Sequence, residues 1–189
     1  MKPLNCPQTL YYLPGYGGSL NTGLGGGLLS RGLQVTGRET RGDFRALPFS
    51  TQVQTIAEDL QAQFWHADAL VICNSFGAYL FLHAQSLMLP FIGKVLLLSP
   101  IVGEFRNEET RTGFSPPQPT KLFELAHASK FFTPSNCQIH VGSEDWQSRP
   151  DVVQEFGRLT GVPVHVVPGQ GHDLGKDYVG PLLDAWMGD

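Results

Sequence analysis

Three short segments carry side chains that together could do nucleophilic acyl chemistry. The first is Cys73-Asn74-Ser75-Phe76-Gly77, set between the apolar run Ala69–Ile72 and a helix-length stretch from Phe76. A serine on a sharp strand-to-helix turn has its hydroxyl lifted above the sheet edge, as in the G-x-S-x-G pattern. Small residues two before and two after it let strand and helix pass closely. Gly77 meets that need on one side. Cys73 stands in place of glycine on the other, small but bringing a Cβ into a crowded place. The helix N-terminus favours negative charge developing nearby. Two plainer readings compete: Ser75 as a helix cap, and Cys73 as the nucleophile. At the end of a buried strand, Cys73 reads better as inert packing.

A serine at its free pKa is a weak nucleophile and needs a base. Of the six histidines, His66, His83, His127, His140 and His165 fall near helix ends, within helices, in a long connecting segment or in alternating apolar strands. They read as structural or surface residues. His172 differs: it sits in Pro168-Gly169-Gln170-Gly171-His172-Asp173-Leu174, after the last predicted strand. Its preceding glycines let the loop present an imidazole over the sheet. The imidazole in turn needs an orienting carboxylate. Gln138–Val141 runs into Gly142-Ser143-Glu144-Asp145, and parallel strands share their C-terminal edge. Asp145 is the preferred acid and Glu144 its close rival. Asp151 lies too far into the next helix, and Asp173 points elsewhere. The chain order is thus Ser75, Asp145, His172.

Acyl transfer also needs donors for a developing oxyanion. One backbone N–H would come from Phe76, directly after the nucleophile. The other is sought in Leu13-Pro14-Gly15-Tyr16-Gly17-Gly18, after the first predicted strand. The same glycines invite a dinucleotide reading, but Leu20 occupies the third glycine position of G-x-G-x-x-G, so no cofactor site is expected there.

These groups must be held by a scaffold, and the patterning supplies one. Apolar runs at Thr9–Leu13, Gly32–Thr36, Ala69–Ile72, Val95–Leu98, Gln138–Val141 and Val164–Val167 read as strands. Helix-length segments alternate with them: one after Ser50, taken as an N-cap, then Phe76–Leu87, Asp151–Leu159 and Tyr178–Trp186. The glycine-rich stretch Ser19–Arg31 is a weak helix former. Alternation implies a mostly parallel sheet of about six strands in a three-layer α/β/α sandwich. About 37 residues between Ser99 and Cys137 break the rhythm. A loop that long in a compact domain usually serves function. A helix is expected there around Lys121–Lys130.

Composition bounds the class. The 189 residues fit one domain, residues 1–189, and the 41% hydrophobic and 16% charged shares read as a globular protein. The net charge of −4 and scattered basic residues argue against nucleic acid. The densest cationic stretch, Arg38, Arg41 and Arg45, reads as a solvated loop, with anion binding the lesser alternative. Cys6, Cys73 and Cys137 are odd in number and widely spaced, so neither a disulfide framework nor a structural zinc site is expected. A reducing cytoplasm follows. The N-terminal segment lacks a leader's apolar core. His83, Gln85, Ser86, Pro90 and Lys94 interrupt the apolar stretch Ala78–Leu98, so no membrane span is expected.

Taken together, these residues resemble the α/β-hydrolase superfamily from Thr9 to the C-terminal helix. LPGYGG is similar to that superfamily's His-Gly oxyanion loop, with Pro14 in the histidine's place. VGSED resembles its acid-bearing strand end and GQGHDL its histidine loop. The short chain, with no leading β-hairpin before Thr9, is similar to the retinoblastoma-binding-protein-9-like small serine hydrolases. The resemblance implies two-step acyl transfer by Ser75, His172 and Asp145, with Tyr16 and Phe76 N–H groups binding the oxyanion and no metal or organic cofactor. The superfamily's lid position falls at about residues 101–134, so any lid is small. Phe105, Phe114, Phe123, Phe131 and Phe132 there either line an acyl pocket or pack the local helix. The expected substrate is a small-molecule carboxylic ester or thioester. A non-enzymatic interaction module on the same fold and an amidase or peptidase are the competing readings.

Overall fold

The computed structural model describes residues 8–188. Cys6 lies outside that range. In chain order the elements are β1 (Thr9–Leu13), α1 (Gly23–Ser30), β2 (Gln34–Gly37), α2 (Gly42–Ala46), α3 (Phe49–Gln63), β3 (Leu70–Asn74) and α4 (Phe76–Gln85). There follow β4 (Lys94–Leu98), β5 (Phe105–Asn107), β6 (Thr112–Phe114) and α5 (Lys121–His127). Then come β7 (Asn136–Gly142), α6 (Pro150–Thr160), β8 (Val164–Val167) and α7 (Lys176–Gly188).

Six strands form one parallel sheet in the order β2-β1-β3-β4-β7-β8. Its central strands, β1, β3 and β4 above all, read as near-continuous apolar runs because both faces are covered. The strand period of two divides them. Tyr11, Leu13, Val71, Cys73, Val95, Leu97, Ile139 and Val141 join the core under α3, α4 and α6. Leu10, Tyr12, Leu70, Ile72, Leu96 and Leu98 join the core under α1 and α7, with Leu28, Leu183 and Trp186. The result is an α/β/α sandwich. Strand order reverses between β1 and β3, and in open α/β sheets ligands bind at the C-terminal strand ends beside such a reversal.

Local expectations met three corrections. Ser50 does not cap α3: the N-cap is Pro48, whose carbonyl accepts the Thr51 and Gln52 N–H groups. Proline fixes φ there, at −53°, and the helix starts two residues earlier than a cap at Ser50 would allow. Arg38, Arg41 and Arg45 are not one solvated loop. Arg38 forms a two-pronged ion pair with Asp59, Arg41 pairs with Glu39, and Arg45 belongs to α2. The long segment after Ser99 carries, besides α5, an antiparallel β5–β6 hairpin. Its three-residue strands around Arg106-Asn107-Glu108-Glu109 have no apolar alternation to announce them.

Candidate active site

The turn after β3 puts Ser75 in an unusual backbone conformation, φ 52° and ψ −119°. A non-glycine residue with positive φ costs of order 1–3 kcal/mol and persists only when its surroundings impose it. Here they do. Ser75 N–H donates to Leu98 O at 3.0 Å, and Ser75 O accepts from Ala78, Tyr79 and Ile101. Gly77 is required for the crossing: a Cβ there would stand 2.2 Å from Leu13 O and 2.4 Å from Pro14 O. Cys73, two residues before the serine, fits because its side chain turns into the core, fully buried. Burial pushes its thiol pKa well up, which suits packing rather than nucleophilic chemistry.

The structure brings the three sequence-selected side chains into one chain of contacts. Ser75 Oγ lies 2.8 Å from His172 Nε2. His172 Nδ1 lies 2.9 Å from Asp145 Oδ2 and 3.0 Å from Oδ1. Glu144 is exposed and Asp145 buried, so the acid facing the imidazole is Asp145. Asp145 Oδ1 also accepts the N–H groups of Gln147 and Ser148, each at 2.9 Å. Burial works to raise the Asp145 pKa. The His172 contact and the two N–H donors outweigh it and hold the carboxyl below its ordinary value. The acid and histidine loops are laced together by Ser143 N–H on Val167 O and Glu144 N–H on Gln170 O.

Two supporting residues were not marked by the sequence. Ser148, buried, donates its hydroxyl to Ser99 O at 2.7 Å and stands 3.3 Å from His172 Nδ1. It ties the acid loop to the end of β4. Its place three residues after Asp145, as the N–H partner of an Asx-type turn, was the available signal. Thr40, also buried, braces the Pro14–Gly18 loop: its hydroxyl donates to Gly15 O and accepts the Gly18 N–H, while its carbonyl accepts the Gly17 N–H. Nothing in the local sequence distinguishes it.

That loop runs alongside the nucleophile, since a Cβ on Gly15 would stand 3.2 Å from Ser75 Cβ. Gly17 and Gly18 spend their N–H groups on Thr40 and Gly15, bonds that the Tyr16 N–H does not share. The Phe76 N–H opens α4, where first-turn N–H groups have no intrahelical acceptor. The Tyr16 and Phe76 rings meet edge to face at 5.4 Å.

Over Ser75 lies a pocket of about 240 Å³. Five rings around it form a chain of contacts: Tyr16 to Phe76, Phe76 to Phe114 at 5.9 Å, Phe114 to Phe105 at 5.9 Å, and Phe105 to Trp146 at 5.6 Å. The Arg45 guanidinium sits 4.1 Å above the Tyr16 ring and braces it from outside. The phenylalanines of the long segment therefore divide. Phe105 and Phe114 line the pocket, Phe123 and Phe131 pack on Phe156 of α6, and Phe132 is exposed.

No protein-family model and no curated protein sequence matches the chain. Solved structures do. The protein TT1662 of Thermus thermophilus superposes with a TM-score of 0.68 at 17% identity, over 99% of this chain and 92% of that one. MGS-MChE2, an alpha/beta hydrolase enzyme from the metagenome of lagoon sediments, gives 0.62 at 14% identity, over 96% and 91%. A structure from a study of Nitrososphaera gargenis carboxylesterases gives 0.60 at 13%, over 96% and 89%. The chain has the α/β-hydrolase fold. Within the α/β-hydrolase frame, Ser75 occupies the turn at the strand-order reversal, and Asp145 and His172 follow β7 and β8 on the same sheet edge.

Proposed function

We propose that this chain is a serine hydrolase that cleaves a carboxylic ester or thioester through an acyl-enzyme. The observation that carries the reading is the continuous contact chain from Ser75 Oγ through both nitrogens of His172 to the buried Asp145. The whole chain would serve as one hydrolase domain, with the segment at about 101–134 as a small cover over the site.

In the first step His172 Nε2 takes the Ser75 proton as Oγ bonds to the substrate carbonyl carbon. Asp145 holds the imidazole with its Nδ1–H toward the carboxylate and stabilises the imidazolium. The Tyr16 and Phe76 N–H groups bind the oxyanion. The carbonyl–oxygen or carbonyl–sulfur bond then breaks, and His172 gives its proton to the departing alcohol or thiol. In the second step a water loses a proton to His172 and attacks the acyl carbon. The Ser75 ester bond breaks, His172 returns the proton to Oγ, and the carboxylic acid leaves. Apart from the substrate and one water, these steps use only side chains and backbone of this chain.

Among the described residues, no helix is long and apolar enough to cross a membrane. Cys73 and Cys137 are buried free thiols, which supports a cytoplasmic setting.

The test is covalent labelling with a fluorophosphonate, followed by turnover on matched ester, thioester and amide substrates. Labelling of the wild type at Ser75, abolished in Ser75→Ala, is the expected result. Equal labelling of both proteins, or of neither, sinks the reading in favour of a non-enzymatic module. Faster amide than ester cleavage would redirect it to an amidase.

A further inference from the structure

We infer that the pocket over Ser75 is an acyl-selecting site whose far wall, the β5–β6 hairpin, admits an uncharged, apolar acyl group of about eight non-hydrogen atoms and excludes longer chains. The inference rests on the hydrolase reading above and adds the substrate class.

The side of the scissile bond follows from proton transfer. The leaving oxygen or sulfur must come within hydrogen-bond reach of His172 Nε2. Tyr16, Ser75 and Phe76 line the pocket but His172 does not. The leaving group therefore lies outside it, and the acyl group, on the other side of the carbonyl carbon, lies within.

The charge of that acyl group follows from the lining. Among the described residues, no Asp, Glu, Lys, Arg or His contributes to the wall, and its polar members are uncharged, notably Thr112 and Gln147. Arg45, a nearby cation, is occupied on the outer face of Tyr16, and Arg106 of the hairpin pairs with Glu108. An ionised group set against these five rings would lose part of its hydration with no charged partner in the lining to replace it. Size follows from volume. At about 30 Å³ per water-sized group, a space of about 240 Å³ holds roughly eight such groups. Butanoyl to octanoyl chains and a benzoyl group fit this limit, and a dodecanoyl chain does not.

The hairpin sets that limit. Phe105 and Phe114, paired across β5 and β6, provide two adjoining rings of the wall, and Thr112 reaches it from an otherwise exposed position. One substitution can therefore open the site and another fill it, without touching Ser75, Asp145 or His172.

The experiment measures kcat/KM for a series of p-nitrophenyl esters from acetyl to dodecanoyl, with a hemisuccinyl ester as the charged comparator. Fluorophosphonate labelling of Ser75 is measured in parallel. The wild type should peak between butanoyl and octanoyl and fall at least tenfold by dodecanoyl. The hemisuccinyl ester should react at least tenfold more slowly than the pentanoyl ester. Phe105→Ala should raise the dodecanoyl-to-butanoyl ratio at least tenfold. Thr112→Phe, at an exposed position that does not threaten folding, should shift the optimum toward acetyl. A flat chain-length profile, a charged acyl group accepted equally, or ratios unmoved in Thr112→Phe would overturn the inference while Ser75 labelling leaves the hydrolase reading standing. Loss of labelling in the wild type would instead remove the hydrolase reading itself.

Discussion

Ser75, Asp145 and His172 stand beyond the ends of β3, β7 and β8, while the hairpin that faces them is two three-residue strands with no fully buried side chain. On the sheet edge, each loop is fastened by several bonds. Ser75 alone makes four backbone contacts, and Asp145 accepts from two N–H groups besides facing His172. The hairpin holds itself by pairing β5 with β6 and meets the body through aromatic edges. The difference teaches where each property resides. Groups that must meet within about 3 Å need a scaffold that leaves them no alternative. A wall that sorts acyl groups by size needs only its bulk in the right place.

The comparison can be sharpened at the strained serine. Ser75→Gly should lower ester turnover at least ~10³-fold while raising folding stability by about 1 kcal/mol, because glycine accepts a positive φ without strain. Turnover and urea unfolding of the same sample check both halves, and unchanged stability would mean that the turn stores no strain. Asp145→Asn should cost turnover about 10³-fold or more, since the amide presents a donor where Nδ1–H needs an acceptor. Turnover on the same ester, measured beside fluorophosphonate labelling of Ser75, checks it, and wild-type turnover would show that the carboxylate is not needed.

Packing is the next level. Gly77→Ala should destabilise by roughly 3 kcal/mol, because the added methyl meets the backbone oxygens of Leu13 and Pro14 rather than a side chain that can turn aside. A denaturation midpoint close to the wild type's would show that α4 can move off β1.

The body should also respond to pH where the hairpin does not. Burial lowers the His83 pKa to about 4, helped by Lys121, and burial lowers that of His140 to about 4, helped by His165. The unfolded chain binds protons at these two groups below about pH 6.5 and the folded chain refuses them until about pH 4. Stability therefore falls as pH drops through that window, by up to about 3 kcal/mol per histidine, and these two add no further loss below it. Asp145, held low, adds a loss only as pH falls through and below the ordinary carboxylate range. Urea midpoints across pH 4–7 test this, and His83→Leu should flatten the slope. Smallest of all, Arg106→Ala on the hairpin should change stability by no more than about 0.5 kcal/mol, since its ion pair with Glu108 is exposed on both sides. A larger loss would mean that the hairpin is part of the folding unit after all.

Legibility in the sequence follows the same division. The central strands of the main sheet could be read because burial on both faces leaves runs such as Val95–Leu98 with little but apolar residues, while the edge strands β2 and β8 were carried by their valines. Ser75, Asp145 and His172 could be selected because each follows such a run, on a stretch containing glycine or a small residue. The hairpin escaped because Arg106-Asn107-Glu108-Glu109 carries no strand pattern, and Ser50 misled because serine before an apolar period is a common capping signal. Thr40 and Ser148 act through partners 22 to 49 residues away, Gly18 and Ser99, which local pattern does not encode.

Taken by itself, the amino-acid sequence determined the layering of this protein, the order of its candidate groups and the edge on which they stand. Those features depend on period and burial, which are written locally. Only the tertiary structure decided that Asp145 rather than Glu144 faces His172, because one is buried beneath the histidine loop and its neighbour points to solvent. It alone decided which phenylalanines enclose Ser75 and which pack on α6. Adjacent residues and like residues differ there only in what the rest of the chain folds against them.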